Sequence, residues 1–269
     1  MTNGATGLAD LRHEYASNSK KHGSCDMNYP PFVDLLALSE NLNRTNKHRK
    51  LNKILLQAWR AQSCLGDLLQ ADECCKVLRL KVDEKDEITE PQEQTIIKAL
   101  QNSAVNLYAR ATSTSGKLGE RGSIQLDTGQ LAKEQKEDHE ALITLRNQAL
   151  AHVNLEHKMG ARLWHKISLF AVLNCIGHWQ LAAASNETTW NRETLECLER
   201  MLPLAIKFMQ GKSRTRISAA SEALNEAEIS EATFRKFLFD PVKVFGSDAV
   251  VERLLKSHGK ASVRFWVEE

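Results

Sequence analysis

The chain is 269 residues long with 42% hydrophobic and 26% charged side chains, the proportions of an ordinary folded protein with material for a sizeable core. Lys plus Arg number 36 against 34 for Asp plus Glu, which excludes the global basic field of a protein that coats nucleic acid without specificity, so any RNA contact must be local. Five prolines and thirteen glycines, amid long stretches of Leu, Ala, Glu, Lys and Gln, favour helix almost throughout.

Residues 1–31 mix Gly, Ser, Asn, Lys and His without periodicity and close on Pro30-Pro31, the pattern of a mobile N-terminal arm. The start, Met1-Thr2-Asn3-Gly4, is polar and unlike a secretory signal. The run Phe32 to Leu38 predicts a brief docked helix. From about Asn46, Leu51, Ile54, Leu55, Ala58, Trp59, Leu65, Leu68 and Leu69 recur at three- and four-residue steps and predict the first long helix. Where it starts lies the densest basic cluster of the chain, Arg44, Lys47, His48, Arg49, Lys50 and Lys53, which reads first as a solvated face and second as an RNA-guiding patch.

After the acidic stretch Asp83 to Glu87, a second helix is expected to begin near Pro91, carry Ile96, Ile97, Leu100, Ala104, Leu107, Tyr108 and Ala111, and end at Thr112 to Gly116. Gly116, Gly119 and Gly122 then mark a surface loop, since scattered glycines without a preceding strand make no phosphate cradle. A third helix is expected from about Thr128 to Val153 and a fourth from about Met159 to Ser185, apolar over a wide arc. A fifth spans about Asn191 to Gln210 with a kink at Pro203, and Gly211 to Arg214 breaks the pattern. Short helices follow at about 219–224, 231–239 and 249–257, with a turn at Asp240-Pro241. Val263 to Val267 alternates like a strand and needs a partner, either another chain or Val242 to Phe245.

The richest apolar run, Leu169 to Ala184, is interrupted by Asn174, His178 and Gln180 and is too short to span a bilayer, so the expectation is a cytoplasmic protein with no membrane partner. Six cysteines lack Cys-x-x-Cys or paired Cys/His spacing and read as packing thiols. No pattern calls for a cofactor or a metal: there is no strand–Gly-rich turn–helix unit, Walker sequence or Ser nucleophile elbow.

The stretch Leu145-Arg146-Asn147-Gln148-Ala149-Leu150-Ala151-His152-Val153 stands apart. It places a permanent cation, a carboxamide and an imidazole among apolar neighbours; Arg grips phosphate by forked hydrogen bonds, and His exchanges protons near neutral pH. On an ideal helix, six residues at about 100° each leave Arg146 and His152 roughly 120° apart, so a shared site needs the helix to end or distort, or the long Arg to reach round. His139, His157, His165 and His178 flank the stretch and read individually as structural or surface residues, with His157 the nearest after the motif.

The Arg146–Asn147 pair followed by His152 resembles the signature of the HEPN superfamily (higher eukaryotes and prokaryotes nucleotide-binding), and the Ala151-His152-Val153 ending looks like its abortive-infection branch. The resemblance implies an all-α fold, a HEPN-like antiparallel helical bundle over residues 32–211 with a small, mostly helical extension over 212–269. It also implies a metal-independent endoribonuclease of toxin or antiphage-defence type, with catalytic Arg146, Asn147 and His152 in a homodimer cleft. RNA is then the substrate, and a cognate antitoxin or regulatory protein a further partner. The rival readings are a non-catalytic HEPN-like interaction module and an antitoxin-like partner of the nuclease.

Overall fold

The computed structural model describes residues 32–46, 48–83, 90–113, 121–147, 156–159, 162–173, 178–187 and 190–256. The described chain is mostly helical, an all-α helical bundle with little sheet. In chain order it runs β1 (Phe32–Val33), α1 (Leu35–Arg44), α2 (Arg49–Asp83), α3 (Pro91–Thr112), a 3-10 turn (Thr128–Gln130), α4 (Lys133–Leu145), β2 (Glu156–Met159), β3 (Arg162–Leu173), β4 (Trp179–Glu187), α5 (Arg192–Glu226), α6 (Glu231–Arg235), β5 (Leu238–Phe239), α7 (Pro241–Phe245) and α8 (Asp248–Lys256). None of the described helices is long and apolar enough to cross a membrane.

The chain divides into two compact units, Ala58–Arg216 and the flanking Met1–Gln57 with Ile217–Glu269. In the central unit, α2 buries Ala61, Cys64, Leu68, Ala71, Cys75, Leu78 and Val82, steps of three and four residues that turn one face inward. The same core takes Ile97, Ala104 and Tyr108 from α3, Leu142 and Leu145 from α4, and Leu198, Met201, Leu202, Ala205 and Met209 from α5. The Ser213 hydroxyl donates to Gln62 Oε1 at 2.7 Å, while Arg79 pairs with Glu199. The earlier residue of α2 thus meets the later residue of α5, so these two helices run antiparallel. Cys64, Cys74, Cys75 and Cys197 are free thiols.

In the flanking unit the two segments join by backbone pairing. β1 is antiparallel to β5, with Phe32 opposite Phe239 and Val33 opposite Leu238. Asp34 N–H extends the pairing to Phe237 O at 2.9 Å, and its carboxylate caps α1 by accepting from Leu36 and Ala37. Phe32, Phe239 and Phe245 meet edge-on, with ring centroids 5.8 to 6.3 Å apart. Leu38, Leu42, Leu51 and Leu55 are buried, and the Ser39 hydroxyl donates to Asn52 between α1 and α2.

Several sequence expectations are corrected: Phe32–Val33, expected to open a brief helix, and Leu238–Phe239, expected to end one, are strands. The fourth helix is instead an antiparallel sheet in the order β2-β3-β4, with Leu169 opposite Ala183, Ala171 opposite Leu181, and a bulge between His157 and Lys158. A wide apolar arc does not separate a helix from a strand. The third helix starts later than expected, after a 3-10 turn at Thr128–Gln130, and among the described residues is regular over Lys133–Leu145; residues 148–153 of the expected span lie outside the described residues. Gly211 does not break α5, which runs unbroken from Arg192 to Glu226 through Pro203, Gly211 and the segment expected as a separate helix at 219–224. Val242 to Phe245 is helical, capped by the Asp240 carboxylate and closed by Gly246 at φ 77°, so it supplies no strand partner. Val263 to Val267 lies outside the described residues.

Candidate functional site

The geometry begins with α4. Its N-terminus is closed by Gln135, whose Oε1 accepts from Ala132 N–H at 2.9 Å, and Glu134 faces the positive end of the helix dipole. Leu142 and Leu145 are 0% and 1% exposed and fix the last turns in the core. Just beyond, at Arg146 and Asn147, the helix widens into a π-type turn, a local break in the ladder of the kind found at functional positions.

Arg146 keeps helical backbone angles and is half-buried, while Asn147 is exposed. Arg146 Nη1 donates to Asn147 Oδ1 at 2.9 Å. This bond takes one of the five N–H donors of the guanidinium, and among the described residues it is the hydrogen bond that joins the two side chains. The pair is a compact set of donors at the end of an anchored helix. His152 lies outside the described residues.

Two polar clamps that sequence reasoning did not assemble hold α4 on its neighbours. Asp138 accepts from Arg200 of α5 through Nε (2.7 Å) and Nη2 (2.8 Å), a forked pair, and from the Cys197 thiol at 3.1 Å. Arg200 holds the Asp138 carboxyl below its ordinary range, and burial together with that carboxylate pushes the Cys197 thiol up to about 12. Cys197 is therefore a protonated donor, not a nucleophile. On another side of α4, His139 Nδ1 lies 2.8 Å from the Tyr108 hydroxyl of α3, with the rings edge-on at 5.8 Å. Burial lowers the His139 pKa and raises that of Tyr108, which keeps both neutral. His139 sits seven residues before Arg146, two turns back on the same face and about 10 Å along the axis. His139 and Tyr108 were each visible as residues; their contact had no local signal.

The other flanking histidines fall on or beside the sheet. The register places His157 of β2 opposite His165 of β3, and His178 immediately precedes β4. In the glycine-containing segment after α3, Arg121 is tied down rather than loose. Its side chain, 12% exposed, donates to Ser63 Oγ (2.9 Å) and the Arg110 carbonyl (3.1 Å) and pairs with Asp67 at 2.7 Å. Asp67 also accepts from Arg110 Nε at 2.8 Å, so one buried carboxylate holds two guanidiniums and offsets the charge of one of them. Gly122, at φ 68°, makes the turn. Comparison of the chain with family models, curated proteins and solved structures returned no match.

Proposed function

We propose that the chain is a metal-independent endoribonuclease of HEPN type, acting on single-stranded RNA as a homodimeric toxin or antiphage-defence component. The observation that carries this reading is the Arg146–Asn147 pair, a guanidinium bonded to its neighbouring carboxamide where an otherwise well-anchored helix leaves regular geometry. In the mechanism, an imidazole of His152 takes the proton of the ribose 2′-hydroxyl, whose oxygen attacks the adjacent phosphorus. The guanidinium of Arg146 holds the charge growing on the non-bridging oxygens, and an imidazole protonates the departing 5′-oxygen. Asn147 steers the guanidinium and offers its amide N–H groups to the phosphate. The products are a 2′,3′-cyclic phosphate and a 5′-hydroxyl. The nucleophile belongs to the substrate, so the all-deoxy analogue is inert.

The test is cleavage of a labelled RNA and its all-deoxy analogue in EDTA by wild type, Arg146→Ala and His152→Ala. Wild type should cut only RNA, and each variant should lose about a hundredfold or more of the rate. Wild-type expression should slow bacterial growth, and neither variant should. Equal cleavage by all three proteins, or a well-folded wild type that neither cuts nor slows growth, would transfer the assignment to a non-catalytic interaction module.

A further inference from the structure

We propose that the corner joining α1 to α2 is a docking surface for the sugar–phosphate backbone of single-stranded RNA. Between Glu40 and Asp67 the sequence holds six Lys and Arg residues and no carboxylate, in a chain whose total charge is only +2. In the structure Arg44, His48, Arg49, Lys50 and Lys53 are all exposed. Arg44 lies 3.6 Å from Glu40 with both side chains about three-quarters in solvent (75% and 74%), a pair too screened to neutralise it. Arg49 Nε donates to the neutral Asn46 carboxamide. His48, Lys50 and Lys53 have no carboxylate partner among the described residues.

The corner is also costly. Asn46 and His48 both adopt positive φ, 56° and 50°, so two non-glycine residues in three sit in the left-handed region. Arg49 and Lys50 open α2 with no acidic residue in its first turn, which sets cations against the positive end of the helix dipole. The buried Ser39–Asn52 hydrogen bond and buried Leu42 and Leu51 hold this arrangement against its own repulsion. A polyanion relieves that repulsion by replacing the counterions the cations would otherwise gather.

The alternative occupant is an anionic membrane. Leu42, Leu51 and Leu55 are all turned into the protein, and among the described residues from Arg44 to Lys53 no large hydrophobic is exposed, so the corner itself offers no apolar surface to enter a bilayer; the exposed Leu36, Leu56 and Trp59 lie outside it. Phosphates on a flexible strand ask only for cations and donors, and guanidiniums meet them in forked geometry. The choice of RNA over DNA rests on the ribonuclease reading; the patch itself does not.

The experiment is anisotropy of a short labelled single-stranded RNA against the full chain across a salt series, for wild type and for Arg44→Gln/Arg49→Gln/Lys50→Gln/Lys53→Gln. Losing four phosphate contacts should weaken binding about tenfold or more near 0.1 M salt and cut the slope of log affinity against log salt by about 3. A charge-conserving partner, Arg44→Lys/Arg49→Lys/Lys50→Arg/Lys53→Arg, should bind as wild type does and separates charge from folding. An unchanged slope in the glutamine variant, or a wild type that does not bind RNA, overturns the proposal. So does flotation with phosphatidylserine vesicles that the glutamine variant loses while its RNA slope stays put. Binding by wild type without cleavage, lost in the glutamine variant, would keep the patch and sink the nuclease reading.

Discussion

Asp138 shows how much of a site can rest on a residue outside it. Its two oxygens accept three donors, two from Arg200 and one from the Cys197 thiol, and the carboxylate side chain is only 12% exposed. In Asp138→Asn the amide nitrogen would face one of those donors with donors of its own. Half of Arg200 is in solvent, which discounts the pair, so the expected loss at neutral pH is about 1 kcal/mol. Because the folded carboxyl titrates lower than the unfolded one, near 3.9, its contribution is whole above that value and disappears as pH falls through the lowered folded pKa. Urea melts of wild type and variant should therefore differ at pH 7 and converge toward pH 3; a gap independent of pH would show that the charge is not what matters. At this scale the Arg146–Asn147 contact joins adjacent residues and so had a local signal. The Asp138–Arg200 and Tyr108–His139 contacts had none, because each joins different helices.

Among the elements, legibility followed punctuation. Pro91 at a first turn and the Thr112 to Gly116 stop bounded α3 closely, and α8 fell within one residue of its expected limits. The apolar run after the motif misled because neither period dominates it, and strand pairing is decided by the facing strand. Gly211 misled in the other direction. A glycine costs a helix about 1 kcal/mol, and Ser213, buried and bonded to Gln62, with the apolar stripe through Met209, outweighs that. A methyl added at Gly211 meets nothing within 4 Å, and the residue is exposed. Gly211→Ala should raise stability by about 0.5–1 kcal/mol, read as a higher denaturant midpoint at constant m-value. A lower midpoint would mean that α5 needs a flexible joint there.

For the whole molecule, the ribonuclease reading carries a stoichiometry. One Arg146 and one His152 make a sparse site; two copies across a two-fold axis place two guanidiniums and two imidazoles around one phosphate, enough for base, acid and charge stabilisation at once. Sedimentation should give a dimer at tens of micromolar, and mixing Arg146→Ala with His152→Ala protein should regain part of the activity if each copy completes the other's site. A strict monomer that still cuts RNA would confine the chemistry to one chain.

The pairing of β1 with β5 imposes an order in time. On a ribosome Phe32 emerges before the central unit, yet Phe239 and Phe245, which complete its strand and its aromatic cluster, are added only after every residue of that unit has been made. The central unit, whose core residues all lie between Ala61 and Met209, has its full complement of helices first. The long-range closure comes last and is slow. A nascent chain would therefore carry a finished α4 while the basic corner of α1 and α2 still waits for the segment that staples its unit together.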